Sequence, residues 1–270
     1  MNETNRRSPL AYLNPEFLES SEARTVRLAS EYLYPLGRFR REKIHDTIVF
    51  FGSARICEGT CLPDGTIHPL TRYYDDAREL AKLATEWSES LPEKTRRFVV
   101  TTGGGPGIME AANRGAVDAG GKSIGLNIAL PFEQMPNEYI SPELNFEFHY
   151  FFMRKFWLAY LAKALVVFPG GFGTMDELFE LLTLAQTKKL DKKLVIILYG
   201  SEFWKEIINF DAFVKYGVIS PEDLELFSFA DSPAEAMAIL QDGLTRHYLT
   251  PEKPLPPQEK ITPAIARSRD

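Results

Sequence analysis

Five short apolar runs alternate along the chain with longer segments whose apolar residues recur at helical spacing. The runs are rich in β-branched and aromatic residues and cover residues 47–53, 97–105, 122–128, 164–171 and 193–200. Because they are apolar throughout rather than alternately apolar and polar, they predict buried strands of a parallel sheet. The helical segments are residues 70–91, 107–119, 153–162, 174–188 and 202–216. This alternation predicts an α/β fold with a doubly wound, mostly parallel sheet and helices on both faces.

The two ends of the chain depart from this pattern. Residues 21–43 predict an N-terminal helix with a candidate bend at Pro35, and its apolar positions could pack on the sheet domain or on a second subunit. Residues 251–270 are polar and rich in proline, which is typical of a mobile tail. We therefore expect an N-terminal helical extension over residues 1–45, a globular domain over residues 46–250 and a Pro-rich C-terminal tail over residues 251–270.

Charge and cysteine content narrow the classes of function. The chain has 31 Lys and Arg against 37 Asp and Glu, a net charge of -6, which argues against nucleic-acid or anionic-membrane binding because both use basic surface. No apolar stretch approaches the roughly 20 residues of a membrane span, and the N-terminus lacks a signal-peptide core. Cys57 and Cys61 stand without the further ligands of a zinc site, so no metal is expected. These features predict a soluble, cytoplasmic protein.

Three of the five runs end in glycine turns, at Gly52, at residues 103–107 and at residues 170–173. Ligands of doubly wound sheets bind beyond the carboxyl ends of the strands, so these turns predict one ligand site at that edge. The last two turns also lead into a helix, where backbone N–H groups and the helix dipole suit an anion. Neither turn has the spacing of a dinucleotide fingerprint, and GGKS at residues 120–123 follows a helix rather than a strand, which excludes a P-loop. A phosphate monoester is predicted, with tight helix–strand packing as the alternative.

The stretch PGGFGTMDE, residues 169–177, raises the question of what Glu177 does. Thr174 and Glu177 match the Thr-x-x-Glu capping box, in which the glutamate only bonds the start of the helix. Alternatively, Glu177 is a catalytic carboxylate that reaches past a bound phosphate toward the sugar, where it could stabilise an oxocarbenium ion or activate water. Helical spacing puts Asp176 on a different face and Glu180 one turn deeper. Spacing alone leaves both interpretations open.

Other residues near the same edge also allow two interpretations. In the aromatic segment FFMRKFWLAY, Arg154 could clamp a phosphate, or Arg154 and Lys155 could be a basic pair whose stems lie along the core. Phe132, Phe172 or Met109 could stack on a base, although each of these residue types more often serves in packing. The loop after the third run contributes Glu133 and Asn137 to this edge.

Several motifs in combination resemble the LONELY GUY (LOG) family, whose members were long labelled lysine decarboxylases. They are GGGPGIMEAANRGA at residues 103–116, MRK at 153–155 and PGGFGTMDE at 169–177, and VFFGSAR at 49–55 resembles the first strand and turn of the family. The family pattern Pro-Gly-Gly-x-Gly-Thr-x-x-Glu is matched at every fixed position. The N-terminal helix, the C-terminal tail and the longer loop after the third run resemble a longer bacterial branch.

The resemblance implies a Rossmann-like fold that assembles as dimers or larger oligomers, with residues 46–250 as its nucleotide-binding catalytic domain. It also implies hydrolysis of the N-glycosidic bond of a nucleoside 5′-monophosphate, AMP or a cytokinin riboside monophosphate, to free base and ribose 5-phosphate, without a cofactor. Glu177 and Arg154 would be the catalytic residues, which favours the catalytic interpretation of Glu177. A decarboxylase is not expected, because no segment stands out as a lysine site for pyridoxal phosphate. The alternative is a nucleotide-binding regulatory protein without turnover.

Residues of these motifs and turns are expected to bind the substrate. They are Gly52, Ser53, Gly103, Gly104, Gly105, Gly107, Met109, Glu133, Met153, Lys155, Pro169, Gly170, Gly171, Gly173, Thr174 and Asp176. Within this set, the glycine turns would hold the 5′-phosphate, while Glu133 and Asp176 would bind ribose hydroxyls. The expected partners are the nucleotide and further copies of the chain, with neither nucleic acid nor membrane.

Overall fold

A parallel sheet of seven strands organises the part of the chain that the structure describes. The computed structural model describes residues 8–92, 94–130, 135–190 and 192–250. The strands are β1 (Thr47–Phe51), β2 (Val99–Thr102), β3 (Ser123–Ile128), β4 (Asn145–Phe148), β5 (Ala162–Val167), β6 (Val195–Tyr199) and β7 (Ser228–Ala230). Their order across the sheet is β4-β3-β2-β1-β5-β6-β7, and each neighbouring pair is parallel. The predicted doubly wound, Rossmann-like α/β fold is confirmed.

The five predicted apolar runs form the five inner strands, which helices cover on both faces. Every residue of β1 and β2 is buried, as expected for such strands. The two edge strands were not predicted: β4 alternates exposed and buried residues, and β7 has only three residues. Neither has the continuous apolar run by which the inner strands were recognised. Four of the five predicted runs were also too long at their carboxyl ends, because they included the glycines that follow the strands; the run over residues 122–128 ends where β3 ends.

Within the described residues, nine α-helices surround the sheet. They are α1 (Pro15–Glu19), α2 (Arg24–Arg41), α3 (Arg72–Glu89), α4 (Ile108–Asp118), α5 (Phe151–Tyr160), α6 (Phe172–Gln186), α7 (Ser201–Ile207), α8 (Phe210–Lys215) and α9 (Pro233–Leu244). None of them is long and apolar enough to cross a membrane.

Three helices differ from the sequence prediction. The helix expected over residues 202–216 is split into α7 and α8, because Ile208 has an extended backbone with φ -130° and ψ 119°. Helix α2 runs without interruption through Pro35, the candidate bend. Helix α9 was not predicted, although the Ser232 side chain accepts the Glu235 N–H and so supplies an ordinary N-cap.

The sheet separates two apolar layers that the chain fills with its own side chains. Phe50 of β1 lies in the layer formed with α3, α4 and α9. Its neighbour Val49 lies in the opposite layer, to which α2 and α5 contribute Phe39 and Trp157. Because successive residues of a strand face opposite sides, β1 anchors both layers. A ligand site is therefore expected at the edge of the sheet rather than inside it.

Candidate active site at the carboxyl edge of the sheet

The turns after β1, β2 and β5 lie side by side at one edge of the sheet. These strands are neighbours in the order β2-β1-β5, and all three run in the same direction. The Ser53 N–H donates to the Pro169 carbonyl at 3.0 Å, and the Ile108 N–H donates to the Ser53 carbonyl at 3.1 Å. The loop after β1 thereby ties the other two turns together.

Protein atoms pack closely around the first turn, residues 103–107. Gly107 has a φ of +70°, and a Cβ atom there would lie 2.4 Å from the Ser53 carbonyl oxygen. Gly104 has a φ of +77°, and a Cβ atom there would lie 2.0 Å from Asn127 Oδ1. Both positions require glycine because of backbone conformation and close approach, independently of any ligand.

The second turn, residues 170–173, is open by comparison. A Cβ atom at Gly171 or Gly173 would have no described atom within 4 Å. Only Gly170 is packed closely, since a Cβ atom there would lie 2.1 Å from Thr174 Oγ1. Packing among the described residues thus gives no reason for glycine at positions 171 and 173, and another molecule has room to approach the backbone.

Two amide side chains, the half-buried Asn137 and the buried Asn113, hold the first turn in place. Asn137 Nδ2 donates to the carbonyl oxygens of Gly104 at 3.1 Å and Gly105 at 3.0 Å, and to Asn113 Oδ1 at 2.9 Å. Asn113 Oδ1 also accepts from Thr102 Oγ1 at 2.7 Å, and that hydroxyl accepts the Gly104 N–H at 2.9 Å. The sequence pointed to Asn137 but not to Asn113. The available signal was an asparagine among the apolar positions of α4.

The start of α6 tests the capping-box interpretation of Thr174 and Glu177. The helix begins at Phe172, and its N-cap is Gly171, which offers no side-chain hydrogen bond. Thr174 and Glu177 are therefore the third and sixth residues of α6, and both are buried. The capping-box interpretation is wrong for this helix, because that box requires the threonine at the N-cap.

Arg154 of α5 and Glu177 of α6 form a pair beside the first turn. Arg154 Nη2 lies 3.7 Å from Glu177 Oε1, and the two side chains are only 17% and 7% exposed. Arg154 Nε is buried and has no hydrogen-bond partner among the described residues. A Cβ atom at Gly103 would lie 4.0 Å from Arg154 Nη1 and 3.0 Å from Met109 Sδ. The fold thus brings together predicted site residues from four parts of the chain.

Burial changes the acid–base properties of this pair. It raises the pKa of Glu177 to about 7, and the positive charges of Lys155 and Arg154 oppose this increase without cancelling it. Burial also lowers the pKa of Arg154, against the favourable charge of Glu177. A carboxyl group with a pKa near neutrality can gain and lose a proton at physiological pH, which suits acid–base chemistry.

Lys155 connects α5 to α6 next to the pair. Its Nζ lies 2.7 Å from Asp176 Oδ2 and 2.8 Å from Glu180 Oε2. Burial lowers the pKa of Lys155, but the hydrogen bonds to these carboxylates outweigh burial, so the pKa is raised. This contact holds α5 against α6 and helps to set the separation of Arg154 and Glu177. The predicted contact of Asp176 with ribose stays a prediction.

The remaining predicted residues have varied surroundings. A Cβ atom at Gly52 would lie 2.5 Å from Ile108 Cγ2, so packing against α4 accounts for this glycine. Met153 is half-buried against the apolar layer of α2 and α5. Phe172, at the start of α6, is 96% exposed. Phe132 and Glu133 lie outside the described residues, as does the tail over residues 251–270.

Two surface cavities lie away from this edge. One of about 540 Å³ is bounded by β6, β7 and α9, and one of about 390 Å³ lies between the ends of α2 and α3 and the start of β2. Neither is lined by a predicted site residue. In the described ranges, no group of three or more His, Cys, Asp and Glu side chains could hold a metal ion. The predicted residues mark the open carboxyl edge instead.

Comparisons with known proteins match a region that includes the second glycine turn of this edge. The family described as "Possible lysine decarboxylase" matches residues 109–240. The cytokinin riboside 5′-monophosphate phosphoribohydrolase LOG1 of Arabidopsis thaliana is 30% identical over 155 residues, which cover 55% of this chain and 70% of the relative. The enzyme LOG of Oryza sativa subsp. japonica, with the same activity in its name, is 28% identical over 206 residues and 75% of each chain. Arg154 and Glu177 lie inside the matched family region.

Two of the solved structures that match this chain have lower sequence identity to it than these enzymes have. The X-ray structure of TM1055 is 21% identical with a TM-score of 0.49, over 73% of this chain and 99% of that chain. The molybdenum cofactor binding protein from Rippkaea orientalis is 18% identical with a TM-score of 0.48, over 73% of this chain and 96% of that chain. Likeness at this level says nothing about function.

Proposed function

Because the chain belongs to the LOG family, we propose that it is a phosphoribohydrolase that cleaves the N-glycosidic bond of a nucleoside 5′-monophosphate. The expected substrates are AMP and cytokinin riboside monophosphates, and the products are the free base and ribose 5-phosphate. The observation that carries the proposal is the pair of half-buried Arg154 and buried Glu177 beside two glycine turns. The relatives named as phosphoribohydrolases support the same class of reaction.

The second turn and the start of α6 are the proposed phosphate site. Gly171 and Gly173 leave open space in front of the backbone. The first turn of any α-helix carries N–H groups without intrahelical partners, and its partial positive charge favours a phosphate. Thr174 adds a hydroxyl in this turn. Arg154 adds a positive charge, and its Nε, which hydrogen-bonds to no described residue, can donate to a phosphate or ribose oxygen.

Glu177 is proposed to act on the sugar. When the bond between C1′ and the base nitrogen breaks, its electron pair leaves with the base and positive charge develops at C1′ and the ring oxygen. The Glu177 carboxylate would stabilise this charge and accept a proton from the water whose oxygen bonds to C1′. That proton is then available to the departing base. The reaction consumes one water and leaves Glu177 ionised for the next cycle.

The site has open space where a base could lie. Phe172 is 96% exposed next to the proposed phosphate site, and Met109 borders the first turn. We propose these two side chains as apolar contacts for the base. An exposed contact of this kind can accommodate adenine with or without an N6 substituent, so both substrate types belong to the proposal.

Product analysis tests the proposed function. The purified protein is incubated with AMP, GMP, CMP and isopentenyladenosine monophosphate, and the free base is resolved by chromatography. Release from the isopentenyl compound alone would indicate a cytokinin-activating enzyme, and release from several nucleotides a general nucleotide nucleosidase. Calorimetric binding of AMP without any released base would indicate a nucleotide-binding regulatory protein instead.

We also propose that the chain forms a homodimer or a larger oligomer through α5 and α6. On these helices, Phe151 is 51% exposed, Phe152 52%, Tyr160 47% and Phe179 39%. Clusters of exposed aromatic side chains mark interaction surfaces in soluble proteins. Light scattering after size exclusion should give the mass of two or more chains, and Phe152→Asp should reduce it. The mass of one chain for the unmodified protein would contradict this proposal.

A further inference from the structure

Helix α5, which carries Arg154, receives its N-terminal contacts from a distant part of the chain. Its own N-cap residue, Tyr150, makes no side-chain capping bond. Instead, the Glu31 carboxylate of α2 accepts the His149 N–H at 2.7 Å through Oε1 and the Tyr150 N–H at 3.3 Å through Oε2. A carboxylate at this end of a helix satisfies amide donors and complements the helix dipole.

The same part of α2 also holds the second turn of α5. The backbone carbonyl of Glu31 accepts the Trp157 Nε1–H at 2.9 Å. The rings of Tyr32 and Phe39 lie 5.6 Å and 5.3 Å from the Trp157 ring. Helix α2 therefore contacts α5 at both ends of the segment that includes Arg154, and it restricts both rotation and sliding of α5.

Arg154 depends on this placement. It lies in the first turn of α5, where its backbone N–H donates to the Tyr150 carbonyl at 3.2 Å. Its side chain is half-buried, its buried Nε has no hydrogen-bond partner in the described ranges, and its Nη2 lies 3.7 Å from Glu177 Oε1. Because Tyr150 is bonded to both Glu31 and Arg154, a change at Glu31 moves the turn from which the arginine extends.

We propose that Glu31 is a positioning residue for Arg154, through which the N-terminal helices complete the active site. This inference rests on the proposed phosphoribohydrolase function and gives the N-terminal extension a role in it. Among the described residues, the hydrogen bonds of Glu31 outside α2 join it to His149, Tyr150 and Trp157, none of which is a predicted substrate-binding residue. Its contribution is to hold the first turn of α5 so that Arg154 meets both the substrate phosphate and Glu177. Small displacements of such groups have large effects, on the order of 100-fold for about 1 Å.

The first test is a double-mutant cycle on AMP binding. Calorimetry is done in the Glu177→Gln background, which prevents turnover, with Glu31→Ala, Arg154→Ala and both together. Glu31→Ala should weaken AMP binding on the order of 10-fold, and it should add less than about 2-fold once Arg154 is already alanine. Glu31→Gln, which retains one acceptor oxygen, should give an intermediate loss. The inference would be overturned if the double variant lost AMP affinity by the product of the two single losses. Unchanged AMP binding by Glu31→Ala would overturn it as well.

A matched control separates positioning from general loss of structure. Glu19→Ala removes an exposed carboxylate from α1 and should leave AMP binding unchanged. The melting temperature of each variant is measured in parallel. A Glu31→Ala protein that binds AMP normally at a lowered melting temperature would show a merely structural role.

A second readout does not depend on the proposed function. The Nε–H signal of Arg154 in ¹⁵N-labelled protein is assigned by its loss in Arg154→Lys. Glu31→Ala should shift this signal without any ligand, and Glu19→Ala should not. A shifted signal in a protein that binds no AMP would overturn the phosphoribohydrolase proposal and keep the positioning role. An unmoved signal would overturn the positioning role.

Discussion

The two glycine turns that lead into α4 and α6 are alike in sequence and different in surroundings. In the first turn, a Cβ atom at Gly104 or Gly107 would run into protein atoms at 2.0 Å or 2.4 Å. In the second turn, a Cβ atom at Gly171 or Gly173 would meet nothing within 4 Å among the described residues. A glycine-rich motif can therefore have two separate physical causes, and only one of them leaves room for a ligand.

The side chains behind the turns differ in the same direction. The first turn rests on amides whose hydrogen bonds are satisfied, with Asn137 donating to Asn113 and to two carbonyl groups. Behind the second turn lies Glu177, which is 5% exposed and whose burial is unfavourable when it is ionised. The first turn is therefore built for stability, whereas the second retains a destabilising group of the kind that active sites keep.

The largest expected effect on activity is that of replacing Glu177, which lies behind the second turn. Glu177→Gln should lower kcat for base release by about 10³-fold, because the amide cannot accept a proton or stabilise positive charge as a carboxylate does. AMP binding, measured by calorimetry, should persist. Glu206→Gln on α7 is the control for an exposed glutamate and should retain full activity. Full activity in Glu177→Gln would remove the proposed catalytic role.

The next largest effect is on stability, where the same glycine-to-alanine change should act differently in the two turns. Gly107→Ala should reduce the free energy of unfolding by about 3–5 kcal/mol, because it combines a positive φ with a clash against the Ser53 carbonyl. Gly171→Ala should change it by less than about 0.5 kcal/mol and instead raise KM for AMP. Urea unfolding and initial rates measure both effects. Equal destabilisation by the two variants would remove the distinction between the turns.

The buried carboxyl behind the second turn should make stability depend on pH. The pKa of Glu177 is raised from 4.5 to about 7 in the fold. The stability that neutral Glu177 contributes is present in full below pH 4.5 and lost as pH rises through about 7. Glu177→Gln avoids this loss. Its free energy of unfolding should therefore exceed that of the unmodified protein by up to about 3 kcal/mol at pH 8, and the two should be equal at pH 4. The same difference at both pH values would contradict the raised pKa.

The smallest expected effect lies in the amide network of the first turn. Asn137→Ala should lower the free energy of unfolding by about 1–2 kcal/mol and raise KM for AMP, because the Gly105 carbonyl loses its Asn137 donor and the Gly104 carbonyl keeps only the backbone N–H of residue 137. Asn209→Ala is the matched control, since Asn209 caps α8 through the Ala212 N–H at 3.0 Å. It should lose similar stability and keep its KM. If KM rose in both variants, loss of stability would explain the rise, and Asn137 would have no separate role in the site.

Strong local patterns allowed much of the fold to be predicted. The inner strands were recognisable because burial on both faces makes their sequences continuously apolar. The short edge strands β4 and β7 and the break at Ile208 were not, because pairing and packing with distant segments decide them. The Thr174 and Glu177 spacing also misled as a capping box, since the backbone of Gly171 and Phe172 starts α6 earlier.

Residue types and their spacing were enough to predict the parallel sheet, the position of the glycine turns and the residues that resemble the LOG motifs. These depend on residue type and on spacing within one segment, so each can be recognised locally. Only the tertiary structure decided that Arg154 lies 3.7 Å from Glu177, that Asn113 and Asn137 hold the first turn, and that Glu31 contacts the start of α5. Each of these contacts joins segments that are distant along the chain, and their geometry exists only once both apolar layers have packed against the sheet.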